Sequence, residues 1–250
     1  MSRTAIISGA SRGIGFSTAL ELGRQGWNVV LTGTVEERLR SALATLSRES
    51  IPCHAITFSV DDSDGWDRAV RETTGRFGGV DALVCNAGIS PRSGGRKIPF
   101  DELDPLVWRQ TMQVNVEGAV LGARAVTPKL KSRHGSSITF VSSIAGRVGM
   151  GFVSSYYTTS KTALIGLMRG LAHDLGPYGI RVNAVAPGRI DTEMTRQAGR
   201  KFNDRLTEEI ALRRVGNPEE VASVIAFLAS DAASYVTGAC IDVHGGWVMS

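Results

Sequence analysis

Aromatic side chains make up only 6% of the 250 residues, cysteine occurs three times and histidine four. Cys53, Cys85 and Cys240 lie far apart, with no C-x-x-C pair, and His54, His134, His173 and His244 are equally scattered. That spacing argues against a disulfide framework and offers no metal-ligand pattern. No apolar run reaches the ~18 residues of a membrane-crossing helix. The chain enters an apolar strand by Ala5 without the apolar segment of a signal peptide. The expectations are reduced thiols, no metal, no membrane and a cytoplasmic location. Charge of one sign is scarce as well: 28 basic against 24 acidic side chains leave +4. The densest basic stretches are Lys129, Lys131 and Arg133, and Arg200, Lys201 and Arg205. They lack the interleaved aromatics of a single-strand binder and read as solvated helix ends, so no nucleic-acid partner is expected.

Glycine is plentiful, at 29 residues, and hydrophobic content is an ordinary 42%. Short β-branched runs alternate with longer helical patterns. Strands are predicted at 4–8, 28–32, 54–59, 82–85, 137–142, 181–186 and 240–243. Helices are predicted at 11–25, with Ser11 as its cap, and at 36–48, 63–77, 106–130, 157–175 and 218–229. Continuous apolar strands alternating with helices specify an α/β fold: one doubly wound parallel sheet of about seven strands, covered on both faces. No linker or repeat divides residues 1–250, so a single domain is expected. The polar stretch 189–216 is too long for an ordinary connection and reads as a substrate lid.

The first strand runs into Gly9-Ala10-Ser11-Arg12-Gly13-Ile14-Gly15. In a parallel sheet, ligands sit outside the carboxyl ends of the strands where strand order reverses. A glycine-rich turn there lets backbone approach a pyrophosphate, and the following helix N-terminus supplies amides and positive potential. The second strand ends Leu31-Thr32-Gly33-Thr34, without the acidic residue that would bond a ribose 2′-hydroxyl. Arg12 can instead pair with a phosphate and Thr34 can donate to one.

A second constellation carries acid–base chemistry. Tyr157 and Lys161 stand four apart and share one face of a helix. Free tyrosine titrates near 10, and an adjacent ammonium favours the phenolate. Tyr156 has only Ser160 at the same spacing and points about 100° away, so it belongs to the pocket wall or to packing. Ser143, with Ser142 as rival, closes the fifth strand, where its hydroxyl can polarise a substrate oxygen. Asn115 sits in the middle of the long helix, where an amide needs a reason.

Together these motifs resemble the short-chain dehydrogenase/reductase family over essentially the whole chain. The glycine turn, Asn86-Ala87-Gly88, Asn115, Ser143, Tyr157 with Lys161, and Pro187-Gly188 with Thr192 occur in the family's order. The resemblance implies a catalytic set of Asn115, Ser143, Tyr157 and Lys161, with Asn115 kinking its helix to hold a water beside the lysine. It implies cofactor contacts from Gly9, Ser11, Arg12, Gly13, Ile14 and Gly15, and from Thr34 past the second strand. Ser59 and Val60 follow the third strand, Ser59 standing where the family often has aspartate near the adenine. Asn86, Ala87 and Gly88 would support the adenosine, and Pro187, Gly188, Ile190 and Thr192 the nicotinamide. Tyr157 and Lys161 would also touch the cofactor, and no metal is implied. Arg12 with Thr34 is similar to NADP-preferring members, so NADP(H) is favoured, with NAD(H) as the alternative.

The implied reaction is hydride transfer between the nicotinamide and a carbinol carbon, with Tyr157 handling the hydroxyl proton. Walls for a small carbonyl or alcohol substrate are expected at 144–153, 90–100 and around Met194, with Arg147, Arg189 and Arg196 available to an anionic group. The chain is similar in look to β-ketoacyl-acyl-carrier-protein reductases. Of two basic positions associated with carrier docking, however, Arg133 matches one while Tyr178 replaces the other. Reduction of an acyl thioester is therefore the second reading, and a non-catalytic nicotinamide sensor a third. Relatives commonly form tetramers through the two long helices, so a homotetramer is expected.

Overall fold

The computed structural model describes residues 2–94, 96–196, 199 and 205–249. Seven strands make one wholly parallel sheet: β1 (Thr4–Ser8), β2 (Asn28–Gly33), β3 (Cys53–Thr57), β4 (Ala82–Cys85), β5 (Ser137–Val141), β6 (Arg181–Pro187) and β7 (Cys240–Val243). Their order is β3-β2-β1-β4-β5-β6-β7. The chain winds outward from β1 to β3, then crosses back to β4. The reversal places a crevice between the ends of β1 and β4, where this class of sheet binds ligands. Every residue of β1, β4, β5 and β6 is buried, as strands covered on both faces must be.

One face carries α1 (Gly13–Arg24), α2 (Glu36–Arg48) and α8 (Pro218–Ala229), packed through Leu22, Leu39, Leu46, Ile225 and Leu228. The other carries α3 (Ser63–Phe77), α5 (Gly118–Leu130) and α6 (Ser155–Leu175), packed through Trp66, Val126, Leu130, Leu164 and Met168. Trp66 is almost fully buried; a Cβ on Gly122 of α5 would lie 2.7 Å from its ring. Glycine here lets two helices close on the largest core side chain, whose burial is worth on the order of 3 kcal/mol.

Several boundaries differ from the sequence expectation. Helix α1 starts at Gly13, not Ser11; Arg12 occupies the N-cap in an extended conformation with no side-chain cap. The long helix is three pieces: α4 (Pro105–Met112), a π-helical turn (Gln113–Glu117) and α5. The Asp104 carboxylate caps α4 by accepting from Leu106 N at 2.8 Å. Helix α6 begins at Ser155, which places Tyr156 and Tyr157 in its first turn. Strand β5 stops at Val141, so both Ser142 and Ser143 lie beyond it, and β3 stops at Thr57, short of Ser59.

Residues 189–216 leave and rejoin the fold at one point. Asp191 N donates to Gly216 O at 2.8 Å, and Gly216 N to Arg189 O at 2.9 Å. The outgoing arm holds the one-turn helix α7 (Glu193–Arg196). The returning arm buries Leu206 and Ile210 and is tied by Leu212 N to Gly245 O. Residues 197, 198 and 200–204, among them Arg200 and Lys201 of the second basic stretch, lie outside the described residues.

Candidate active site

The turn after β1 is built on glycine geometry. Gly9 and Gly13 take φ of +62° and +56°, left-handed values that side chains disfavour. A Cβ on Gly15 would stand 2.5 Å from Asn86 Nδ2 and 2.6 Å from Gly9 O. Asn86 is what holds this turn. Its Nδ2 donates to Ser8 O at 2.9 Å and Gly9 O at 3.0 Å, while Ser8 Oγ accepts from Asn86 N and Ala87 N. The segment after β4 is thus stitched to the segment after β1 across the crevice. Ser8 takes part in this without a sequence signal of its own.

The flanking positions divide into those facing the crevice and those serving the frame. Val60 is buried against Gly118 of α5, and its carbonyl accepts from Trp66 Nε1 at 2.8 Å. Ser59 O accepts from Asp62 N. Gly188 N donates to Val243 O, and a Cβ on Gly188 would meet His244 Cβ at 2.4 Å. Ile190 is buried at the base of the 189–216 excursion. Thr192 lies over the glycine turn, its Cγ2 3.3 Å from where a Gly13 Cβ would be. Thr34 is exposed beyond β2. Arg12 projects from the turn and pairs with Glu193, whose other oxygen lies 3.8 Å from Arg38 of α2.

At the ends of β4 and β5 the four expected catalytic residues come together. Asn115 sits inside the π-helical turn, fully buried. The extra residue of such a turn displaces the backbone locally, where the family resemblance implied a kink. Its side chain clamps Ile89 from both sides, Oδ1 accepting from Ile89 N at 2.7 Å and Nδ2 donating to Ile89 O at 3.0 Å. Nδ2 also reaches Ser160 Oγ at 2.9 Å, and Ser160 donates to Tyr157 O. Ser160 therefore links Asn115 to the catalytic helix. Lys161 is buried with Nζ 2.9 Å from Val141 O, and a Cβ on Gly88 would face both Lys161 Nζ (3.2 Å) and Asn115 Oδ1 (3.3 Å). Ser142 is spent on structure, donating to Lys161 O at 2.7 Å. Ser143 Oγ accepts from Ala145 N and stands close enough to the Tyr157 hydroxyl to favour its ionised form.

The electrostatics run against the expectation that the Lys161 ammonium holds the Tyr157 pKa down. Burial raises its pKa, and Ser143 and the charge of Arg92 only partly oppose that. Lys161 Nζ lies 5.7 Å from the ring centroid, and burial lowers its own pKa to about 8. The phenol is thus the resting form, suited to donate a proton, and Lys161 is still an ammonium at pH 7. Tyr156 is fully buried and its hydroxyl donates to Pro91 O, tying the 90–100 segment to α6. Lys97 donates to Gly151 O across the cleft, and Phe152 stacks on Trp247 at 5.7 Å. Of the arginines considered for an anionic substrate, Arg147 lies 3.3 Å from Asp242 and Arg196 pairs with Asp191 at 2.7 Å. Arg189 is buried and donates to Thr195 O. Among the described residues there is no cluster able to hold a metal, and no helix is long and apolar enough to cross a membrane.

The fold and this constellation define a class, and comparison with known proteins agrees. Residues 9–248 match the family model described as enoyl-(acyl carrier protein) reductase. The chain belongs to the short-chain dehydrogenase/reductase family and is an oxidoreductase of that family. It is 36% identical over 247 residues to human dehydrogenase/reductase SDR family member 4, covering 98% of this chain and 87% of that one. It is 38% identical over 251 residues to L-rhamnose 1-dehydrogenase (NAD(P)(+)) of Azotobacter vinelandii, covering 98% and 96%. Among solved structures it is similar to a 3-oxoacyl-[acyl-carrier protein] reductase with bound NAD from Brucella melitensis. That match has a TM-score of 0.92, 34% identity, and covers 99% of this chain and 92% of that one.

Proposed function

We propose that the protein is an NADP(H)-dependent oxidoreductase interconverting a carbonyl and a secondary alcohol, with Tyr157 as its acid and base. The observation that carries this reading is the Tyr157 phenol gathered with Ser143 and Lys161 at the ends of β4 and β5. The left-handed glycines of the turn, and the close approach of Asn86 that Gly15 allows, fit a dinucleotide laid along the strand ends. When bound, the nicotinamide supplies or accepts the hydride. The chain does the rest: Tyr157 Oη holds the proton destined for the substrate oxygen, Ser143 orients that oxygen, and Lys161 sets the local potential. Arg12, Thr34 and Arg38 would receive a 2′-phosphate, and no acidic side chain ends β2 to repel it. Residues 189–216 serve as the lid of a single catalytic domain, and three unbridged cysteines suit a reducing cytoplasm.

The test is loss of 340 nm absorbance from NADPH with a panel of small ketones and acetoacetyl thioesters. Turnover of a ketone supports the reading; cofactor bound without any turnover would make the protein a sensor. Thioester reduction is the second reading, favoured by likeness to the Brucella reductase. It is weakened by Arg133, which donates to Gly78 O at 2.6 Å and lies 3.7 Å from Asp81, and by Lys131, which stacks on Tyr178.

The homotetramer reading rests on a stripe running along α4, the π-helical turn and the start of α5. Trp108, Met112, Val116 and Val120 recur every fourth residue and line an open groove of about 540 Å³. Val120→Glu would place a charge on that face, which an apolar interface tolerates poorly. Sedimentation should then show tetramer giving way to dimer; a mass identical to wild type would refute the assignment of this face.

A further inference from the structure

Glu193 is the first residue of α7, on the outgoing arm of the 189–216 excursion. Its two carboxylate oxygens face different guanidinium groups: Oε2 contacts Arg12 Nη1, and Oε1 lies 3.8 Å from Arg38 Nη2. Arg12 comes from the glycine turn and Arg38 from α2, so elements 26 positions apart in sequence converge on one anion. The next-door contact fixes the arm in place, since Thr192 packs over Gly13. Without an anion between them the two arginines repel, and the Arg12 guanidinium is indeed pushed down by burial and by the Arg38 charge.

The three side chains are each about half exposed, at 49%, 47% and 51% for Arg12, Arg38 and Glu193. Half-exposed ion pairs are weak and exchangeable. A phosphate dianion offers more charge and more acceptor oxygens to the same guanidinium pair. The acidic group missing from the end of β2 is therefore supplied from the outgoing arm of the 189–216 excursion.

We propose that Glu193 is a specificity-determining residue that competes with the cofactor's 2′-phosphate for Arg12 and Arg38. Cofactor discrimination is thereby linked to the position of the lid's first turn. A 2′-phosphate displaces Glu193 and releases the arm, whereas a 2′-hydroxyl leaves the pair in place. Linkage is reciprocal: whatever the carboxylate takes from phosphate affinity, the phosphate takes from lid docking. This rests on the NADP(H) reading above.

The experiment uses the full chain and two nicotinamide-free probes, adenosine 2′,5′-bisphosphate and 5′-AMP, titrated by calorimetry. Glu193→Gln should tighten the bisphosphate by about 3- to 10-fold, the range two weak ion pairs can supply, and leave AMP within about twofold. In the wild type, the bisphosphate should speed amide exchange at residues 192–196 and AMP should not. This readout needs no variant. A wild type that discriminates the probes, combined with an unchanged bisphosphate affinity in Glu193→Gln, overturns the inference alone. So does amide exchange that AMP speeds equally. A wild type that binds both probes equally overturns the NADP(H) reading and this inference with it.

Discussion

Replacing Tyr157 with phenylalanine is expected to lower kcat by about 10³-fold, within the ~10²–10⁴ range that general acid–base catalysis contributes. The substitution removes one oxygen. It leaves the ring, the α6 backbone and the Ser160 bond to Tyr157 O intact. What is lost is the phenol proton held beside Ser143 in the resting state. Because the phenol pKa is raised, the proton is already in place at neutral pH, and the defect should persist across the neutral range rather than appear on one limb of a pH profile. Cofactor affinity, measured by fluorescence quenching or calorimetry, should remain within a few-fold. Tyr156→Phe is the matched control. Its hydroxyl bonds Pro91 O, away from Ser143, so it should destabilise the chain by about 1–3 kcal/mol and raise KM with kcat little changed. Equal loss of kcat in the two variants would sink the assignment of the proton to Tyr157.

A period of four put Tyr157 and Lys161 on one helix face, but such pairs are common, and this one stood out only beside the glycine turn and the serines after the fifth strand. The parallel, doubly covered sheet was legible because buried parallel strands announce themselves as apolar runs such as Ala82–Cys85, whereas the order of its strands was not. The parts that escaped depend on tertiary neighbours. Ser8 and Ser160 are ordinary serines whose meaning comes from Asn86 and Asn115, 78 and 45 residues away. Arg38 lies on an exposed helix face, and only the winding of β1 beside β2 brings it to Arg12. Ser11 has good capping chemistry, yet left-handed Gly13 defers the start of α1 to the end of the turn. The π-helical turn at Asn115 leaves hydrophobic periodicity almost unchanged, so the resemblance implied a kink that the pattern alone did not reveal.

The second large effect concerns the glycine turn, where a single methyl group separates folding from ligand binding. Gly15→Ala introduces a Cβ that would stand 2.5 Å from Asn86 Nδ2, 2.6 Å from Gly9 O and 3.0 Å from Ala10 Cα. Gly15 lies in the first turn of α1, where alanine favours the helix by about 1 kcal/mol over glycine. Propensity therefore pulls one way and packing the other. Packing wins, because two of the three obstacles are backbone atoms of the turn itself. Overpacking of this kind costs about 1–3 kcal/mol. Relief must come from Asn86, whose Nδ2 holds Ser8 O and Gly9 O; if it moves, the crevice loses its stitch. The expected outcome is a fall in melting temperature of about 2–4 °C per kcal/mol. Cofactor affinity should fall more steeply, by at least about tenfold, since a loss of only about 1.4 kcal/mol in presenting the turn amides suffices. Gly149→Ala, where an added Cβ meets nothing within 4 Å, should do neither. A Gly15→Ala protein with wild-type cofactor affinity would show that the dinucleotide does not lie against this turn. Reduced affinity at an unchanged melting temperature would show that the turn yields without strain and that the methyl group obstructs the ligand directly.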